Sequence, residues 1–175
     1  MEIIDYIFNK WFKNTVYIRF KSDWMSARLV EKNRIYEDKP ILALIKDNKK
    51  YKILSVGTDA ELEYAKDKTD LTLCNGFQHP RSCIKDFEVA EATIRHFLCK
   101  LFIAHRVLFR PIIVLHPLEK AEGGLTQVEA RALKELGESA GALEAYIWVG
   151  RELTDDELVN LEFPEKEGTL GYSRD

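Results

Sequence analysis

The stretch Arg110–Arg151, RPIIVLHPLEKAEGGLTQVEARALKELGESAGALEAYIWVGR, decides the fold. Ile112–Leu115 is a short apolar run rich in β-branched residues and stopped by Pro117. Thr126 stands three residues before Glu129, the spacing at which a hydroxyl and a carboxylate cap a helix start reciprocally. Val128, Leu133, Leu136 and Ala140 recur at helical spacing, and Gly141 offers a left-handed stop. Ala145–Val149 is a second apolar run. Two strands joined by a helix predict a parallel pair with a right-handed crossover.

Working outward, Val16–Phe20, Ser26–Val30 and Ile41–Lys46 read as strands one to three, and Asp47-Asn48 as a turn into a further run, Tyr51–Val56. Thr58 is placed to cap a short helix reaching Lys66. Residues 67–85 hold helix breakers and little periodicity, the pattern of a small subdomain or insertion. Asp86–Val107 predicts a long helix that buries Val89, Ala92, Ile94, Phe97, Leu98, Leu101 and Phe102. Thr154–Glu157 caps one more short helix, and residues 162–175, rich in charge and Gly, predict a flexible tail. These readings give a single domain over residues 15–161. Ahead of it, residues 1–14 form an amphipathic helix, with Ile3, Ile4, Ile7, Phe8, Trp11 and Phe12 on one stripe.

A chain of 175 residues, 46% hydrophobic, can bury one core and is short for two full domains. A net charge of −3 without a basic stripe argues against nucleic-acid binding. Cys74, Cys83 and Cys99 lack CxxC spacing and leave an odd thiol, which reads as reduced cysteines in the cytosol. His79, His96, His105 and His116 show no metal-ligand spacing. No apolar run is long enough to span a bilayer, and no small-residue cleavage site marks a signal peptide.

The Arg110–Arg151 unit resembles the end of the first domain of the MreB family, the bacterial actin homologues. The resemblance rests on the Pro-flanked strand Pro111–Pro117, the Thr126–Glu129 helix start, the small-residue turn Ala140–Ala142 and the strand Glu144–Val149. Upstream, Pro40–Lys46 is similar to the family's proline-led third strand. Val56–Ala60 is similar to its Gly-His-Asp-Ala helix start, and Ile84–Phe97 to the amphipathic helix that follows. The order holds over Val16–Val149. This implies an α/β, ribonuclease-H-like fold: an actin-like ATPase half-domain with a mixed five-stranded sheet. Strands one to three would be antiparallel, the last two parallel to strand one, and both long helices on one face.

In that family the turn between the first two strands carries an aspartate and a small Gly/Thr loop that organise Mg²⁺ and phosphate. Here Arg19 takes the aspartate position, and Lys21, Ser22 and Asp23 form a turn with no glycine to let backbone approach a phosphate. The paired glutamates expected after the last strand are replaced by Gly150-Arg151-Glu152, and the second half-domain is missing. Gly123-Gly124 precedes a helix, but no Lys-Ser/Thr follows, so it reads as a flexible loop. His116, Ser139 and Glu119 lack the strand-turn-helix setting of a nucleophile, and His116 reads as a satisfied strand-end histidine.

The expectation is a chain without catalysis or cofactor that acts by protein or membrane contact. The resemblance implies MreB or another cytoskeletal or cell-shape protein as partner, with a homo-oligomer favoured by the orphaned half-domain face. The Ile3–Phe12 stripe suits the inner membrane surface, with Lys10 and Lys13 toward anionic headgroups, or else packs on the fold. The competing reading is an ATP-binding subunit completed by a separate chain.

Overall fold

The computed structural model describes residues 14–47, 50–102 and 110–171. The predicted N-terminal helix, the Asn48 turn position and the Ile103–Val107 end of the long helix lie outside these residues.

Among the described residues, nine strands and four α-helices follow in order: β1 (Thr15–Lys21), β2 (Trp24–Leu29), β3 (Arg34–Asp38), β4 (Leu42–Asp47), β5 (Lys50–Val56), α1 (Thr58–Lys66), β6 (Leu71–Cys74), α2 (Phe87–Leu101), β7 (Ile112–Pro117), α3 (Gln127–Ser139), β8 (Glu144–Gly150), α4 (Asp155–Asn160) and β9 (Gly168–Leu170). They make two sheets, a main one ordered β3-β2-β1-β7-β8-β9 and a small one ordered β5-β4-β6. As expected, β1 and β2 are antiparallel, while β7 and β8 run parallel to β1 in turn.

The central strands read as continuous apolar runs because both faces of the main sheet are covered. Along β1, Val16, Ile18 and Phe20 enter the larger core with Ile113, Leu115, Ala145 and Ile147, beneath Ile94, Phe97 and Leu101 of α2 and Leu133 and Leu136 of α3. Tyr17 alternates to the other face with Val114 and Trp148, where Leu153, Leu158 of α4 and Phe163 close a second core. The two long helices therefore share one face, as the sequence predicts. Burying α2 at Ile94, Phe97, Leu98 and Leu101 supplies roughly 1.5–3 kcal/mol of transfer free energy per side chain. Asp86 caps this helix by accepting from the Val89 N–H at 3.1 Å. The Thr126–Glu129 capping box forms on α3, and a matching Thr154–Glu157 box starts α4.

Four expectations are corrected. The main sheet has six strands rather than five, and its third strand is Arg34–Asp38, not Ile41–Lys46. Asn33, in the left-handed region at φ 46°, turns the chain after β2 and sends Arg34–Asp38 straight back along it. Ile41–Lys46 instead becomes β4, the centre of the small sheet, so the small subdomain begins well before residue 67.

The second correction is the tail. Gly168–Leu170 is an edge strand antiparallel to β8, held because Phe163 stacks on Tyr146 and lies against Trp148. A Cβ at Gly168 would sit 2.4 Å from the Trp148 ring, so only glycine lets the strand come this close. Third, Val128 is 78% exposed. The buried stripe of α3 runs through Ala130, Leu133 and Leu136, and Val128 lies nearly opposite Ala130 around the axis. Fourth, the Thr58 side chain does not cap α1. Asp38, the last residue of β3, does so: its Oδ1 accepts from the Thr58 N–H and hydroxyl, each at 2.8 Å, and so ties the two sheets together.

Candidate functional site

The C-terminal ends of β1, β7 and β8 lie side by side, the place where open α/β sheets collect ligands. Three segments meet there: the Lys21–Trp24 turn, the His116–Lys120 strand end, and Gly150–Glu152. The sequence singles out Arg19, Lys21, Ser22 and Asp23, and all four stand at this end.

Each of the four is already engaged within the chain. Arg19 pairs with Glu152 at 2.6 Å, and its guanidinium lies 5.6 Å from the Trp24 ring centroid. Lys21 pairs with Asp23 at 3.1 Å. The Ser22 N–H donates to Glu119 Oε1 at 2.7 Å, and the Ser22 carbonyl accepts from Asn75 Nδ2 at 2.7 Å. A carboxylate of this chain thus takes an amide that a phosphate-binding turn would offer to its ligand. Burial raises the Glu119 carboxyl, but hydrogen bonding from Ser22 and the Lys120 ammonium 3.1 Å away outweigh it and hold it below its ordinary value.

Beneath the turn runs a buried polar chain. His116 Nε2 lies 3.0 Å from the Gly150 carbonyl, a bond that requires the proton on Nε2. Nδ1 then accepts from the Tyr17 hydroxyl at 2.5 Å, and the Tyr17 oxygen accepts from the Leu153 N–H at 3.3 Å. Burial pushes Tyr17 up to about 12 and lowers His116, the latter against the opposing pull of the Gly150 carbonyl. Every polar atom in the chain is satisfied, so it fastens four segments and leaves no free base. The described bonds of His116 do not reach Ser139, whose carbonyl instead accepts from Arg95. Next to this chain, a cleft of about 260 Å³ is lined by His116, Leu118, Glu119, Glu122 and Gly150 among others. Its charged lining groups, Glu119 and Glu122, are both acids and repel phosphate.

The fold family implies a Mg-nucleotide at this end, and these residues do not fit one. Arg19 stands where the resemblance puts the organising acid, the Ser22 amide is taken, and the adjoining cleft is acidic. Among the described residues, no group of three or more His, Cys, Asp or Glu could hold a metal ion. No helix among them is long and apolar enough to cross a membrane. Sequence reasoning missed Tyr17 and Asn75 as parts of the site, and the hold of Glu119 on the Ser22 amide. Tyr17 left one signal, a hydroxyl amid the aliphatic residues of β1.

The order of strands, the paired helices on one face and the small sheet inserted after β3 define an actin-like, ribonuclease-H-like α/β fold. MreB5 of Spiroplasma citri bound to AMPPNP superposes with a TM-score of 0.61 at 18% identity, over 77% of this chain and 38% of that one. The same protein bound to ADP gives 0.59 at 18%, over 77% and 37%. A non-polymerising A278D mutant of MamK bound to AMPPNP gives 0.59 at 14%, over 78% and 40%. The chain thus spans about two-fifths of the length of these solved structures. Residues 27–151 match the MreB/Mbl protein family, and the chain belongs to it. No protein of curated function matches the sequence.

Proposed function

We propose that this chain is a non-catalytic member of the MreB/Mbl family that works by contact with other proteins or with a membrane, in cytoskeletal or cell-shape regulation. The observation that carries this is the Glu119 carboxylate on the Ser22 amide. Arg19, paired with Glu152 at the same strand ends, supports the same reading. The partner class is a family filament protein, another copy of this chain, or the inner face of a membrane reached through the Ile3–Phe12 stripe.

Calorimetric titration with Mg-ATP tests the first part: no heat of binding and no phosphate release are expected, and micromolar affinity overturns it. Co-sedimentation with anionic vesicles tests the membrane arm. Wild type is expected to pellet, and the double variant Trp11→Ala, Phe12→Ala to stay in solution; equal behaviour assigns the stripe to the fold. One observation favours a second reading. The AMPPNP-bound MreB5 is much longer than this chain, which covers 38% of it, so a separate chain could supply the remaining half of a nucleotide site. Nucleotide binding that appears only when a second family protein is added would select that reading.

A further inference from the structure

The chain after β8 forms a strap. Residues 151–171 carry α4 and β9 along the second face of the main sheet, where Leu153 and Leu158 close the core over Tyr17, Val114 and Trp148. At its start the strap meets the buried ring of His116, both of whose nitrogens are committed. Nε2 donates to the Gly150 carbonyl at 3.0 Å, and Nδ1 accepts from the Tyr17 hydroxyl at 2.5 Å. Tyr17 carries the connection on by accepting from the Leu153 N–H at 3.3 Å. Two ion pairs hold the same end, Arg19 with Glu152 and Arg28 with Asp155. Their carboxylates are 56% and 60% exposed, so this hold is weak.

We propose that His116 is the release for this strap: a second proton on its imidazole detaches residues 151–171 and uncovers the apolar face of Tyr17, Val114 and Trp148. The reason is a mismatch of donors. A neutral imidazole has one donor and one acceptor, and the closed strap uses both. An imidazolium has two donors. Its Nδ1 no longer accepts, and the Tyr17 hydroxyl hydrogen is left without a partner in a dry site, which is costly. Lifting the strap lets water reach both groups and removes that cost. This device stands whether or not the chain binds nucleotide.

The charged groups around the Tyr17–His116 pair do not offset the added proton. Arg19 from β1 and Arg28 from β2 both lie against the Tyr17 ring and repel an imidazolium. The acids opposite, Glu152 ahead of α4 and Asp155 within it, are taken by those arginines. On the strap itself, Arg151 pairs with Glu157 and Glu167. Beyond β7, Glu119 is held by the Ser22 amide and Lys120, and Glu122 is exposed. Burial lowers the His116 pKa, with Arg19 in the same sense and the Gly150 carbonyl and Glu152 against it. The closed strap therefore refuses a proton that the open strap, with the ring in water, takes near 6.5. One proton per opening makes the opening constant rise about tenfold per pH unit below 6.5, down to the folded pKa.

Hydrogen exchange of the full chain, resolved by residue and corrected for intrinsic rates, tests this between about pH 5 and pH 8. The strap amides of Leu158 and Gly171, bonded to Thr154 and Ile147, are expected to open more often than the amides of β1 and β7. Their opening constant should show the tenfold rise per pH unit below 6.5. The Asp67 amide, at the far end of α1, opens without uncovering His116 and should show no such rise. His116→Gln offers one donor and one acceptor without a titrating nitrogen, so its strap should open independently of pH. A wild-type strap that opens only together with the strands overturns the proposal. So does a strap whose opening ignores pH or merely shares its pH dependence with Asp67, and so does an undiminished rise in His116→Gln. If that variant does not fold, the wild-type contrast between Leu158 and Asp67 decides alone.

Discussion

All six residues of β7, in the main sheet, are buried, whereas five of the seven in β5, in the small sheet, are exposed. The first strand is fastened on both faces and at its end by the Tyr17–His116–Gly150 bonds; the second is held on one edge only, by β4. At the C-terminal ends of β1, β7 and β8, this chain has spent its polar groups on itself. In β5, the apolar Tyr51, Ile53 and Leu54 stand open to solvent beside Lys50 and Lys52. Rigidity and availability are thus segregated, the former at the strand ends and the latter in the small sheet.

The sharpest way to break this contrast is Trp148→Ala. Its indole is fully buried, donates to the Arg151 carbonyl at 2.7 Å and seats both Phe163 and β9. Its loss should cost about 3–5 kcal/mol in chemical denaturation and free residues 162–171 to rapid hydrogen exchange. Tyr17→Phe should cost roughly 1–3 kcal/mol, because His116 Nδ1 and the Leu153 N–H lose their partner in a dry site. Asp38→Ala should cost about 1 kcal/mol, the usual worth of a helix-cap oxygen, with protection lost first at the start of α1.

The histidine supplies a pH test. Burial holds the folded pKa of His116 below the unfolded value near 6.5, with Arg19 acting in the same sense and the Gly150 carbonyl and Glu152 against it. Below that unfolded value, the unfolded chain binds a proton that the folded chain refuses. Stability should therefore be complete above about pH 7 and decline as pH falls through 6.5 toward the folded pKa. His116→Gln should reduce that slope, leaving the part due to His96, which burial also lowers. Ile53→Ala is the mildest probe. It should move stability by no more than about 0.5 kcal/mol, the range of a surface change. A larger loss would mean that β5 is already part of the folded core.

The legible parts of the sequence were those whose signals are local. The β7–α3–β8 unit shows itself in two apolar runs and a capping box spaced by three residues, and each of these needs only its neighbours. β3 hid because a charged, exposed edge strand carries no apolar alternation: Arg34, Glu37 and Asp38 look like loop. β9 hid because Gly-Thr-Leu has little strand character of its own and is held by Trp148 and Phe163, which precede it in the chain and meet it only in the fold. At the candidate site, the substitutions at Arg19–Asp23 were readable from the resemblance. What occupies the turn was not, since Glu119 is 97 residues from Ser22.

Gly57 governs the contact between the two sheets. At φ 71° its backbone suits glycine, and a methyl group there would lie 2.0 Å from Asp38 Oδ2. One absent carbon atom is therefore what admits the latch between main and small sheets. The chain passes from the main sheet to the small one through Lys39–Ile41, and the Gly57 N–H donates to the Ile41 carbonyl at 2.8 Å, so this crossing is fastened beside the latch. Where the two sheets meet, the joint therefore depends on a side chain that is not there.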